Sequence, residues 1–322
     1  MKQNKDIIIF GSLNMDLIVK TSKFPNLSET IICDEFYTAP GGKGGNQAVA
    51  VARLVDKEFK VKFIGRVGDD IFGTDILKNL LKENIDISNI QITKNISTGI
   101  ASIFTMPNGE NSVNAVYGAN NHIDESQVSD FEKLSNQAGV ILLQQEIPNK
   151  TLKLILRKAK EKNITIILDP APYRENLEEI YKNINIITPN EIEASSISNI
   201  DVKDNLSAKK SARYIRNFGI DVVIITLGSN GIWIESESIS EHIDTYKVKA
   251  KSSVAAGDAF NGALGYGIVK NNDILDSVDL AIAASSISVT RDGSQSSMPR
   301  IDEVHKFMQQ NINKSRVSED LH

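Results

Sequence analysis

Asp258 follows two alanines and a glycine, Ala255, Ala256 and Gly257, where an apolar, helix-prone run begins. A helix start exposes backbone N–H groups that attract anions, and small residues let a phosphate approach them. A carboxylate there could take the proton of an alcohol attacking phosphorus, while the amides hold charge on the transferring group. The same four residues could equally serve the helix alone, Asp258 stabilising its dipole by about 0.3–1 kcal/mol.

Four further stretches carry usable chemistry. GSLNMD, Gly11 to Asp16, follows the first apolar run, so Asn14 and Asp16 lie where a strand ends. Ligands of α/β sheets gather at such ends, and these side chains could bond sugar hydroxyls or form an Asx turn. GGKGGNQA, Gly41 to Ala48, has four glycines in five positions, which suits close backbone approach to a ligand or a flexible loop. Its Lys43 could hold phosphate or lie in solvent. In ITPNEIEA, Asn190 and Glu193 stand three apart at a helix start. They share a face that could meet a hydrated Mg²⁺ and its phosphates, or they cap the helix. TLGSNG, Thr226, Leu227, Gly228, Ser229, Asn230 and Gly231, is a turn that could pass under an adenine or join two strands.

These motifs need elements to hold them. Short Ile- and Val-rich runs begin at Ile7, Val61, Val140, Thr165, Asn185 and Val222. Amphipathic stretches lie between them, at 46–54, 70–83, 149–162 and 208–218, and helix patterns follow at 258–270, 274–290 and 301–311. Buried strands alternating with helices predict an α/β fold with a mostly parallel central sheet flanked by helices. Strand-like runs at about 15–20, 30–38 and 99–118 do not fit a βα unit. They predict a small β-sheet beside the core, a lid, with a turn at Asn108-Gly109. No linker divides the chain, so 1–312 reads as one domain and 313–322 as a polar, frayed tail.

Composition narrows the partners. The 322 residues carry a net charge of -5, so no basic field advertises nucleic acid or an anionic membrane. The lone Cys33 allows no internal disulfide, fits a reducing compartment and is expected in or beside a strand. No run approaches the roughly 20 apolar residues of a membrane span, and the first apolar run is too short for a secretory leader. A soluble, cytoplasmic protein is expected. No P-loop, no G-x-G-x-x-G and no G-x-S-x-G occurs, and the four histidines lack metal-ligand spacing.

Taken together with STGIASIF, GAN and LLQQE, in this order and spacing, the motifs resemble the ribokinase family of sugar kinases. The likeness runs to about Met308. The Gly-Gly and Ala-Ala-Gly-Asp motifs are general to that family; Asn14-Met15-Asp16 with Gly-Gly-Lys-Gly-x-Asn points more narrowly at its ribose kinases. The resemblance implies a Rossmann-like core with a β-sheet lid, often a homodimer through the lids, and transfer of the ATP γ-phosphoryl group to the 5-hydroxyl of D-ribose. It implies Asp258 as base and Ala255, Ala256 and Gly257 as anion hole. Asn14, Asp16, Gly42, Lys43, Asn46 and Glu146 would surround the sugar. Asn190 and Glu193 would serve Mg²⁺ and phosphate, and Thr226 to Gly231 the nucleotide.

One departure stands out. The family usually has an Asp-Thr pair before the anion hole, and this chain has Ser252-Ser253. That aspartate belongs to a monovalent-cation site whose other positions would be Val254, Ser288, Arg291, Gly293 and Ser297. A hydroxyl there removes a charge and a strong oxygen ligand, so weak K⁺ control is expected. Two alternatives stay open: a kinase for 2-deoxyribose, fructose or adenosine, and a catalytically weak sugar-binding regulator. Asp16 argues for vicinal hydroxyls, which 2-deoxyribose lacks.

Overall fold

The computed structural model describes residues 5–106, 111–175 and 178–319. The strands are β1 (Asp6–Phe10), β2 (Asn14–Lys20), β3 (Glu35–Gly41), β4 (Val61–Gly68), β5 (Asp86–Thr93), β6 (Gly99–Thr105), β7 (Asn111–Val116), β8 (Ala138–Gln144), β9 (Thr165–Asp169), β10 (Ile186–Ile187), β11 (Val222–Thr226), β12 (Ile232–Glu235) and β13 (Ser240–Ile243). The helices are α1 (Lys43–Leu54), α2 (Ile71–Lys82), α3 (Glu125–Leu134), α4 (Asn149–Glu161), α5 (Glu178–Tyr181), α6 (Glu191–Ser198), α7 (Asn205–Arg216), α8 (Ala256–Val269), α9 (Ile274–Ser288) and α10 (Ile301–Glu319).

Among the described residues nine strands form one sheet, in the order β13-β12-β11-β10-β9-β8-β1-β4-β5. All its pairs are parallel except β11–β12 and β12–β13. The alternation of strand side chains divides the core. Ile7, Ile9, Val140 and Leu142 meet α1, α8 and α9, whereas Ile8, Phe10, Ile141 and Leu143 meet α3, α4 and α7. The result is three layers, helices over both faces of a buried sheet, as the double-sided apolar runs predicted. The polar residues of interest follow the carboxyl ends of β1, β8, β9, β10 and β11, where the order around β1 reverses and leaves a crevice.

The second sheet runs β3-β2-β6-β7. It is mixed: β2–β6 is parallel, and the other two pairs are antiparallel. The expected strand at 30–38 is shifted, because β3 begins at Glu35, opposite the last residue of β2, Lys20, and earlier residues have no partner strand. Cys33 lies half-buried just ahead of it. The stretch 99–118 resolves into β6 and β7, and the expected Asn108-Gly109 turn lies outside the described residues.

Two helices differ from expectation. The last was expected to end at Asn311 and runs to Glu319, since no Gly or Pro breaks the polar segment. The first was expected from Asn46 and begins at Lys43, launched by Gly42 at φ 82°, a conformation that favours glycine. Gly44 then lies so close to Ser12 that a Cβ would stand 2.7 Å from its backbone. That glycine serves helix-to-strand approach and not ligand approach.

Candidate active site

Helix α1 brings Lys43, Asn46 and Gln47 onto one face, at i, i+3 and i+4. That face meets the first turn of α8. Asp258 is 4% exposed, and both its oxygens accept amide hydrogens, Oδ2 from Asn46 Nδ2 at 2.9 Å and Oδ1 from Gln47 Nε2 at 3.2 Å. Burial pushes its carboxyl up to about 7; Lys43 opposes this and Asp169 adds to it. Lys43 Nζ stands 3.5 Å from Asp169 Oδ2. Burial alone would lower the lysine, but Asp169, Asp258, Glu146 and Glu193 surround it and hold it protonated, above its ordinary value.

The expected sugar ligands converge from two sheets. Glu146, just beyond β8, accepts from Ser12 Oγ and from the Lys43 amide at 3.1 Å. Asp16, on β2, is 7% exposed and accepts from Ser294 Oγ at 3.3 Å. Burial pushes its carboxyl up to about 7; Ser294 opposes this, and the Glu146 and Asp258 charges add to it. Asn14 Oδ1 accepts from Asn120 Nδ2 at 2.8 Å. Among the described residues the buried Asn46 Oδ1 has no hydrogen-bond partner, leaving an acceptor for a ligand hydroxyl.

Beyond Asp258 lies a cavity of about 330 Å³, lined by Lys43, Asp169, Asn190, Glu193, Gly257 and Asp258 among others. Asn190 and Glu193 form a capping box, each side chain bonding the other's backbone N–H at 2.9 Å. Capping and cavity lining are therefore one arrangement. Burial and the nearby Asp169 push the Glu193 carboxyl up to about 7. Thr226, Gly228 and Gly231 line the cavity too. Leu227 is buried in the core, and Ser229 and Asn230 are exposed, so those three side chains lie away from it.

The residues expected to form an anion hole lie at the start of α8. Ala255 has φ 58° and caps α8, and the space beside Gly257 is open. The Ala256 N–H, however, points at the Ser253 carbonyl, 3.3 Å away. Gly257 and Asp258 keep the orphan amides of the first turn. Asn261 ties that turn down, donating to the Gly257 carbonyl at 2.9 Å and accepting from Thr188 Oγ1 at 2.7 Å.

The expected cation-site hydroxyls are turned to local backbone. Ser252 Oγ accepts from the Val254 N–H at 3.2 Å, while Ser288 and Ser297 donate to the carbonyls of Ser285 and Ser294. Arg291 pairs with Glu303, Gly293 takes φ 90° and Val254 is exposed. Among the described residues no group of three His, Cys, Asp or Glu side chains could hold a metal ion.

Several participants were not singled out from the sequence. Asp169 ends a strand beside two that were, so the strand-end rule alone could have found it. Asn120 sits inside the GAN motif but carried no role. Ser12, Gln47, Gln144 and Ser294 gave no local signal, because their partners are distant in the chain.

A β-sheet lid, a sheet crevice and a helix-start carboxylate facing a cavity of about 330 Å³ define a small-molecule kinase. The pfkB family carbohydrate kinase model matches residues 4–301, and the chain belongs to that family of sugar kinases. It is 35% identical over 305 residues to a ribokinase of Haemophilus influenzae, covering 95% of this chain and 99% of the relative. It is 30% identical over 308 residues to a deoxyribokinase of Salmonella typhi, covering 95% and 99%. The crystal structure of ribokinase from Thermotoga maritima superimposes with a TM-score of 0.87 at 33% identity, covering 95% of this chain and 99% of the other. That of Arabidopsis thaliana ribokinase complexed with ribose and ATP gives 0.84 at 28%, covering 94% and 98%.

Proposed function

We propose that the chain transfers the γ-phosphoryl group of ATP to the 5-hydroxyl of D-ribose, giving D-ribose 5-phosphate and ADP. The observation that carries this is Asp258, buried on the first turn of α8 and held by two amides beside the cavity. Asp258 accepts the proton of the 5-hydroxyl as that oxygen bonds to the γ-phosphorus and the bond to the β-phosphate oxygen breaks. The free amides of Gly257 and Asp258 face the equatorial oxygens, with the Ala255–Ala256 turn shaping the hole, and Lys43 balances the charge of the carboxylates around it. Asn14, Asp16, Asn46 and Glu146 orient the sugar. The Arabidopsis ribokinase holding ribose and ATP supports the same pair of ligands.

Glu193 and Asn190 offer hard oxygens on the cavity wall, and this donor chemistry suits Mg²⁺ held largely through water and the nucleotide phosphates. Mg²⁺ bound there would neutralise phosphate charge. The residues at the expected K⁺ site fit less well: Ser252 brings no charge, and the serine hydroxyls are committed locally. K⁺ is given no part. A homodimer through the lids is supported by Phe36 and Val116, which share one face of the small sheet and are exposed at 63% and 55%. No helix of the described residues is long and apolar enough to cross a membrane, which agrees with a cytoplasmic enzyme.

The deoxyribokinase relative keeps 2-deoxyribose as the second reading. Asp16 opposes it, because a buried carboxylate left without a hydroxyl partner costs about 1–3 kcal/mol or more. Turnover with ATP on ribose, deoxyribose, fructose and adenosine decides between them, and ribose should lead. Asp258→Asn should bind ribose and lose nearly all phosphorylation. Unchanged turnover in that variant would refute the base, and binding without turnover in the parent enzyme would favour a regulator.

A further inference from the structure

The carboxylate of Asp258 is gripped from behind by a side chain that the cavity does not expose. Gln47 is 0% exposed and lies one residue beyond Asn46 on α1. Its Nε2 donates to Asp258 Oδ1 at 3.2 Å and to Asp169 Oδ2 at 3.1 Å. Its Oε1 accepts from Gln144 Nε2, at the end of β8, at 2.7 Å. The chemistry fixes these directions. Ionised carboxylates only accept, so the glutamine must show them its NH₂ group, and both hydrogens are then used. Its oxygen is left facing Gln144, which must answer with its own NH₂. Two amides in series thus leave one orientation for the group at their end.

We infer that Gln47, held by Gln144, is the positioning residue that fixes the Asp258 carboxylate for proton transfer. The inference rests on the reading of Asp258 as base. Asn46 holds Oδ2 and keeps its own buried oxygen unpartnered among the described residues, whereas the Gln47 amide is engaged at both ends by protein groups. With both oxygens pinned, the carboxylate plane cannot turn about its Cβ–Cγ bond, and the attacking hydroxyl meets a lone pair already aimed. Proton transfer needs heavy atoms within about 3 Å of each other, and a misplacement of about 1 Å costs on the order of a hundredfold. The amide also favours the ionised, basic form of the carboxylate, against the burial that opposes it. The charged groups facing Asp258 are Lys43 from α1, Asp169 from β9, Glu193 from α6, Asp16 from β2 and Glu146 beyond β8. Among these, Asp169 also loses a donor when Gln47 is changed, and the other four keep their contacts.

The test is steady-state kinetics of the full-length Gln47→Leu and Gln144→Leu enzymes with ribose and Mg-ATP across pH 5.5–9, with calorimetric ribose binding. Gln47→Leu should lower kcat by about ten- to a hundredfold and leave the ribose KM and Kd within about threefold. The acid limb of its kcat/KM profile should move to higher pH, because a donor to the ionised form is gone. Gln144→Leu should move kcat and the limb the same way by less, and it decides the matter if Gln47→Leu does not fold. A kcat within twofold of the parent, a loss confined to KM, or an unmoved acid limb would overturn the inference. Asp258→Asn, run alongside, separates the two claims. If it is inactive while Gln47→Leu is normal, only the positioning role fails; if it is active, the base itself is misassigned.

Discussion

Replacing Asp16 by asparagine should stabilise the ligand-free protein, and increasingly so as the pH rises. The Asp16 carboxyl is 7% exposed and pushed up to about 7 from 3.8, chiefly by burial. Between those two values the folded chain holds a proton that the unfolded chain has released. Stability tied to the neutral acid is therefore lost as pH rises toward the folded value. From pH 5 to pH 8 the loss is about two pKa units, or roughly 3 kcal/mol at about 1.4 kcal/mol per unit. Asparagine has the shape of the neutral acid and does not titrate, so it escapes this loss. For a chain of this length that is roughly 4–5 °C in midpoint. Thermal unfolding of Asp16→Asn and parent, without ligands, at pH 5 and pH 8 measures it. The variant's advantage should be larger at pH 8 by about that amount, while ribose binding falls with loss of the carboxylate acceptor. An advantage equal at both pH values, or a lower midpoint than the parent at pH 8, would refute the assignment of a buried, strained charge to Asp16.

Asn120 makes three bonds from a fully buried position, accepting from the Leu13 N–H and donating to the Leu13 carbonyl and Asn14 Oδ1. Asn120→Ala should cost about 3 kcal/mol of stability, given about 1–3 kcal/mol per buried group left unpaired. It should also raise the ribose KM more than it lowers kcat, as denaturant titration and kinetics will show. Ser252→Asp restores a carboxylate at the expected cation site, so activation by K⁺ should be steeper in the variant than in the parent. Equal activation of the two enzymes in matched Na⁺ and K⁺ buffers would count against any effect of the serine.

Much of this was legible because the sheet is buried on both faces. Continuous Ile and Val runs such as IIIF and VILLQ have no other stable home, and each announces where its strand ends. Asn14, Asp16 and Glu193 stand within a few residues of such an end and Asp258 within the first turn of a helix, so they could be placed before any coordinates. What stayed hidden has a common cause. β5, with its alternating DISNIQIT, sits at a sheet edge and carries a weak apolar signal. α3 is short and polar, and shows itself only through the Asp124 capping box. Gln47, Gln144 and Ser294 act through partners about a hundred or more residues away, and local spacing cannot report a tertiary contact. At the expected cation segment, where Ser252 led to an expectation of weak K⁺ control, the serine hydroxyls bond nearby backbone groups.

The small sheet is joined to the large one at short corners: β1 ends at Phe10 and β2 starts at Asn14, while β3 ends at Gly41 and α1 starts at Lys43. On the proposed function the grip on the sugar would be split like a pair of jaws, Asn14 and Asp16 on one, Lys43, Asn46, Glu146 and Asp258 on the other. Shut on nothing, the jaws would press the carboxylates of Asp16, Glu146 and Asp258 toward one another with no hydroxyls between, and like charges resist that. On that reading a sugar would supply the missing hydroxyls and act as the bolt, and ATP alone would meet open jaws, with little chance for water to take the phosphate in the sugar's place.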